Sequence, residues 1–214
     1  QMKQYDKARY ELKKSLEWNA KNVDAKQILV NVEQESKRYS SAICYVNELL
    51  EVNPYWKGLW SRKIELYELQ GNTVESNRLR KRLSQIYPKD SKVQEDYLYN
   101  TELQANALRK QGKIDEAISL TSDLLKKQPE NPSHYLTLVN DHLKTGDYYS
   151  ALAFAERGLI QFPGNLSLIN KKSGILAEQK RYDELIPFLQ DQMKFGNRAA
   201  LQQQYNYYLL EAAR

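Results

Sequence analysis

Two histidines, one cysteine and a short run of basic residues are the side chains here most able to do chemistry. His134 and His142 stand eight residues apart, which along one helix is about 12 Å of rise. Neither lies one turn from a second ligand, so a zinc site of the HExxH kind is absent. Cys44 is the single cysteine, which excludes an internal disulfide and a multi-cysteine metal site, and no histidine lies near it to act as its base. Gly58, Gly71, Gly112 and Gly146 are isolated from one another and build no phosphate-cradling loop. These residues predict no enzyme, no cofactor and no metal centre. The run Arg78, Arg80, Lys81 and Arg82, with Glu75 at hand, reads first as a solvated helix face. Its second reading is a docking patch for an acidic surface.

What must position these side chains is helical and repeated. Pro54, Pro88, Pro129 and Pro163 are spaced 34, 41 and 34 residues apart. Proline lacks the amide donor and clashes with the preceding turn, so a period of prolines is a period of helix stops. Ala20 and Asn197 continue the same ruler at either end. Charged residues are 28% and hydrophobic residues 41%, with eight glycines and six prolines, a balance that favours folded helix over a loop-rich β protein. A net charge of +5 with interspersed signs argues against nucleic acid as the partner. No apolar run is long enough to span a bilayer.

The segment from Ser133 to Asn165 displays the unit. Tyr135, Leu138, Val139 and His142 fall on one face of a first helix. Gly146 suits the left-handed C-terminal position and Asp147 the next N-cap. A second helix then turns Tyr148, Ala151, Leu152, Ala155 and Leu159 inward, and Pro163 ends it. Aromatics recur early in the first helix at Trp60 and Tyr135, and at the start of the second at Tyr5, Tyr39, Tyr148 and Tyr182. An alanine follows three residues later at Ala8, Ala42, Ala117 and Ala151, where two helices cross closely. This pattern resembles the tetratricopeptide repeat. The resemblance implies an all-α, right-handed solenoid of antiparallel helix pairs, with about five full repeats and a half-repeat at each end. The units read as a half to residue 22, then 23–56, 57–90, 91–131, 132–165 and 166–199, then a half or cap over 200–214. Thr73 and Ser76 depart from the pattern, as do Leu185 and Pro187, the latter expected in the first turn of its helix. Arg80 stands where the family buries a hydrophobic residue.

The 41-residue step holds seven extra residues, 91–97, close to two helical turns. One continuous helix is therefore expected from about Lys92 to Lys110, capped by Ser91. Its added turns either pack on the preceding arginine-rich helix or overhang as a ledge carrying Val93, Tyr97 and Tyr99.

The family resemblance further implies that first helices line a concave surface for a partner's peptide or helix. The matching residues are Gln27, Asn31, Glu35, Glu65, Tyr99, Glu102, Asn106, Arg109, Lys110, Asn140 and Lys144. Asn31, Asn106 and Asn140 hold equivalent places, and a side-chain amide both donates to and accepts from a peptide backbone. A lysine-rich carboxylate clamp is not matched, because Gln27, Glu102 and Asn170 stand where it needs cations. The expected function is a non-catalytic protein-binding scaffold. The alternatives are a stalk within a larger cell-envelope protein and, last, an RNA-binding helical repeat. The chain opens and stops inside repeats, which reads as a piece of a longer bacterial protein able to self-associate through its ends. The resemblance leans to the periplasmic side of a bacterial envelope over the cytoplasm.

Overall fold

A computed structural model describes the backbone of residues 2–213 and the side chains from Gln4 onward. The described residues form twelve α-helices and one short 3₁₀ turn, without a strand. In order these are α1 (Met2–Trp18), α2 (Val23–Glu35), α3 (Tyr39–Val52), α4 (Lys57–Leu69), α5 (Thr73–Ile86) and α6 (Ser91–Lys110). Then follow α7 (Ile114–Lys127), α8 (Pro132–Lys144), α9 (Tyr148–Gln161), α10 (Leu166–Glu178), α11 (Tyr182–Gln192) and α12 (Arg198–Ala212).

Two local signals fix these boundaries. Each proline of the ruler directly follows the residue that caps α3, α5, α7 or α9, namely Asn53, Tyr87, Gln128 and Phe162. The residue before a proline is driven out of the helical region, and all four caps have φ between −139° and −120°. The second signal is a left-handed residue inside each helix pair, at Lys37, Gly71, Gly112, Gly146 and Lys180. In each case the next amide donates to the carbonyl five residues back, as from Asn72 to Tyr67 and from Asp147 to His142. That bond closes a Schellman turn. Side chains of Asn22, Asn72, Asn131, Asp147 and Asn165 cap the helices that follow them.

The helices fall into two compact units, one ending at Asn100 and the other starting at Thr101. In the first, Ala42, Val46 and Leu49 of α3 and Leu66 of α4 are fully buried in a core with Trp60, Leu79, Leu83 and Val93. In the second, Leu138, Leu168, Ile169, Leu185, Leu189 and Leu201 form one apolar cluster, and Val139, Ala151, Ala155 and Ile175 a smaller one. Gly158 of α9 lets its helix close on both neighbours: an added Cβ would lie 2.8 Å from Leu168 and 3.1 Å from Tyr135.

Two expectations are corrected, the cap of α6 and the place of Pro187, and the two alternatives for the extra turns are decided in favour of packing. The cap of α6 is Asp90, whose carboxylate accepts from the Val93 amide, and Ser91 is the first helical residue. The extra turns do not overhang with their apolar residues. Val93 is buried in the core of the first unit and Tyr97 is buried too, Asp96 accepts from Arg80, and Gln94 donates to the carbonyls of Ser84 and Tyr87. Only Tyr99 of the three stands out, 63% exposed. Pro187 lies inside α11 rather than in its first turn, because the helix already begins at Tyr182. One intrahelical hydrogen bond is missing there.

Candidate functional site

The side chains that line the first helices are organised chiefly by arginines that reach between helices. In the first unit Arg62 of α4 donates to Asn31 (3.0 Å) and to Gln34 (3.0 Å) of α2. Gln34 in turn donates to Glu65 at 3.1 Å. Two of the residues expected from sequence, Asn31 and Glu65, are thus brought into one polar ladder, while Gln27 is half-buried and Glu35 exposed beside it.

Beyond this ladder lies a cavity of about 380 Å³ between α4, α5 and the start of α6. Ile64, Leu83 and Val93 give it an apolar floor, and Lys57, Glu65 and Lys92 stand among its charged walls. Arg80 is only 7% exposed. Its guanidinium donates to Asp96 (2.9 Å) and to Glu68, which ties α5 to both flanking helices along the cavity. Where the repeat pattern calls for a buried hydrophobic residue, the chain instead buries an arginine and ties it to two half-exposed carboxylates. At one end Lys57 and Asp90 pair at 2.5 Å. That bond, with the Val93 amide, holds the Asp90 carboxyl below its ordinary range.

In the second unit Arg109 does not project freely. Its Nε donates to both carboxylate oxygens of Asp141 (3.1 and 2.8 Å), Nη1 donates to Asn106 (2.9 Å) and Nη2 donates to Thr121. Asp141 is 1% exposed, so this clamp between α6, α7 and α8 is a structural joint. Asn106, Glu102, Lys110 and Lys144 remain exposed, and Asn140 is half-buried next to Asp141.

Sequence reading missed Arg62, Gln34 and Asp141. A usable signal exists: Asn31 with Arg62 and Gln34 with Glu65 are each 31 apart, and Arg109 with Asp141 is 32 apart. Such pairs sit two or three residues short of the 34-residue period.

The two histidines serve packing. Burial pushes the His134 imidazole below its ordinary value, and its Nε2 lies 3.0 Å from Gln128 and 3.3 Å from Asn131. His142 stacks on Phe154 at 5.3 Å. Cys44 is exposed on α3. Among the described residues no three His, Cys, Asp or Glu side chains gather to hold a metal, and no helix is long and apolar enough to cross a membrane.

The architecture is therefore that of an all-α helical-repeat protein. Its repeat, a helix pair with a left-handed turn inside it and a proline after it, spaced at 34 residues with one step of 41, has the tetratricopeptide fold. No protein-family model and no curated protein sequence matches the chain. Solved structures do. A chain of the Naa15/Naa10 assembly bound to HypK-THB superposes with a TM-score of 0.50 at 17% identity, covering 99% of this chain, which spans 32% of that one. The TPR2AB domain of yeast Sti1 in complex with pHSP90 gives 0.44 at 13% identity, covering 99% of this chain and 93% of that one. A tetratricopeptide repeat protein from Parabacteroides merdae ATCC 43184 gives 0.39 at 15% identity, covering 97% and 79%.

Proposed function

We propose that this chain is a non-catalytic scaffold whose first-helix faces hold a peptide or helix of another protein. The observation that carries the reading is the cavity bounded by α4, α5 and α6. It has an apolar floor for one partner side chain and fixed charges around it, of which Glu65 belongs to the first-helix face. Arg80, Glu68 and Asp96 already hold its walls in place. A docking segment therefore gives up its own conformational freedom while the scaffold gives up little. The partner-facing set is Gln27, Asn31, Glu65 and Tyr99 in the first unit, and Glu102, Asn106, Lys110, Asn140 and Lys144 in the second. Arg109 acts by holding Asn106 in position. The Naa15/Naa10 assembly, solved bound to HypK-THB, agrees with a binding role.

The test begins with selection of linear peptides from a displayed library against the intact chain. Affinities of the best peptide are then measured for Glu65→Lys, Asn31→Ala, Asn140→Ala and Lys144→Ala. Glu65→Lys is expected to weaken binding on the order of tenfold. Affinity unchanged across the series removes the groove from consideration.

A further inference from the structure

A second surface of the first unit has the character of a docking site, on α4 and α5. Trp60 of α4 is 4% exposed and its indole donates to the Pro54 carbonyl at 2.8 Å, so the ring is locked in place. Two cations gather over it: the Arg82 guanidinium carbon lies 4.8 Å from a ring centroid and the Lys63 ammonium 5.7 Å. Arg78 stands one turn before Arg82 on α5, its side chain 78% exposed. Against these three cations Glu75 is the nearby carboxylate, and it reaches Arg78 at 3.5 Å. Neither Lys63 nor Arg82 enters an ion pair among the described residues. The crowding has an electrostatic signature: Lys63 is held below its ordinary value by burial first and then by the charge of Arg82, opposed by Glu75.

We propose that Lys63, Arg78 and Arg82 form a docking surface for an acidic, extended peptide segment of a partner protein. The indole pins the two inner cations by cation–π attraction, so they are preorganised instead of sweeping through solvent. Four residues of helix advance about 6 Å, and alternate side chains of an extended chain repeat at roughly 6.6 Å. Arg78 and Arg82 therefore meet successive outward carboxylates of a segment with acids at every second position. Single-stranded nucleic acid has a similar charge spacing, but its binding draws on exposed aromatic rings that stack bases. Trp60 is covered and cannot supply one. Neither Lys63 nor Arg82 lines the cavity, and neither belongs to the partner-facing set proposed above. Either site can fail without the other.

The intact chain is titrated into a labelled peptide of alternating Glu and Ser, read by fluorescence anisotropy at low and at physiological salt. Binding is expected to be salt-sensitive. The double variant Lys63→Glu/Arg82→Glu should weaken it on the order of tenfold or more. Neutralisation in Lys63→Gln/Arg82→Gln should give an intermediate loss, with circular dichroism confirming the fold of both. The variant Lys126→Glu/Lys127→Glu, on α7 of the second unit, should leave affinity unchanged. No salt-sensitive binding by the wild type overturns the proposal. So does an equal loss in the α7 variant, which reduces the effect to diffuse charge. Tighter binding of oligouridylate through the same two residues overturns the choice of a peptide.

Discussion

Helices α5 and α9 are the second helices of two repeats, and the same places along them are filled in opposite ways. Where α9 has Ala151, Ala155 and Gly158, α5 has Ser76, Arg80 and Leu83. Small residues let α9 approach α8 and α10 until Gly158 leaves no room for a methyl group. In α5 a buried arginine takes the central place and is tied to carboxylates of α4 and α6. The contrast teaches that the repeat tolerates two kinds of joint. One is built on contact, with dispersion and area burial as its terms. The other is built on a polar staple whose charge is neutralised by its neighbours.

The sharpest way to break the comparison is to install the second solution where the first is needed. Ala155→Arg places an unpaired charge at a fully buried position and should destabilise the protein by about 4 kcal/mol or more in urea unfolding. Gly158→Ala should destabilise by about 1–3 kcal/mol despite alanine's better helix propensity, because Leu168 and Tyr135 must move. The reverse exchange in α5 is expected to be mild. Arg80→Met should be neutral or stabilising by about 1 kcal/mol, since the carboxylates it abandons are half-exposed.

A pH series sharpens the same point for the second unit. His134 is buried neutral, with its proton affinity lowered by burial against the opposing charges of Glu102 and Glu130. The unfolded chain then binds more protons. Stability is fully present above about pH 6.5 and falls as pH drops toward the folded-state value. Chemical denaturation across that range should show the slope, and His134→Gln should flatten it. The smallest effect belongs to Gly174 in α10, where an added Cβ would meet nothing within 4 Å. Gly174→Ala should raise stability by about 0.5–1 kcal/mol, seen as a higher unfolding midpoint.

Much of the fold was legible because its signals are local. A proline after a cap, an asparagine before a helix and a left-handed glycine each act within a few residues, and they recur on one ruler. Lys37 and Lys180 hid two of those turns, since lysine carries no left-handed preference, yet both fall on the ruler set by Gly71, Gly112 and Gly146. The cap of α6 was misplaced by one residue because aspartate and serine stand side by side at positions 90 and 91, and both are good caps. The site was less legible. Arg109 read as an exposed cation and Arg80 as a charge at a buried position without a partner, because their partners lie up to 32 residues away along the chain. Charge alone does not reveal which acid shares a buried joint.

The left-handed turns carry a consequence for how such a chain changes over generations. Positions 112, 146 and 180 mark matching backbone geometry at 34-residue intervals. A duplication or loss cut at two such points rejoins like with like, so hydrogen bonding at the seam survives. A change of that size leaves each remaining helix pair closed by the same turn and stacked on a neighbour of the same kind.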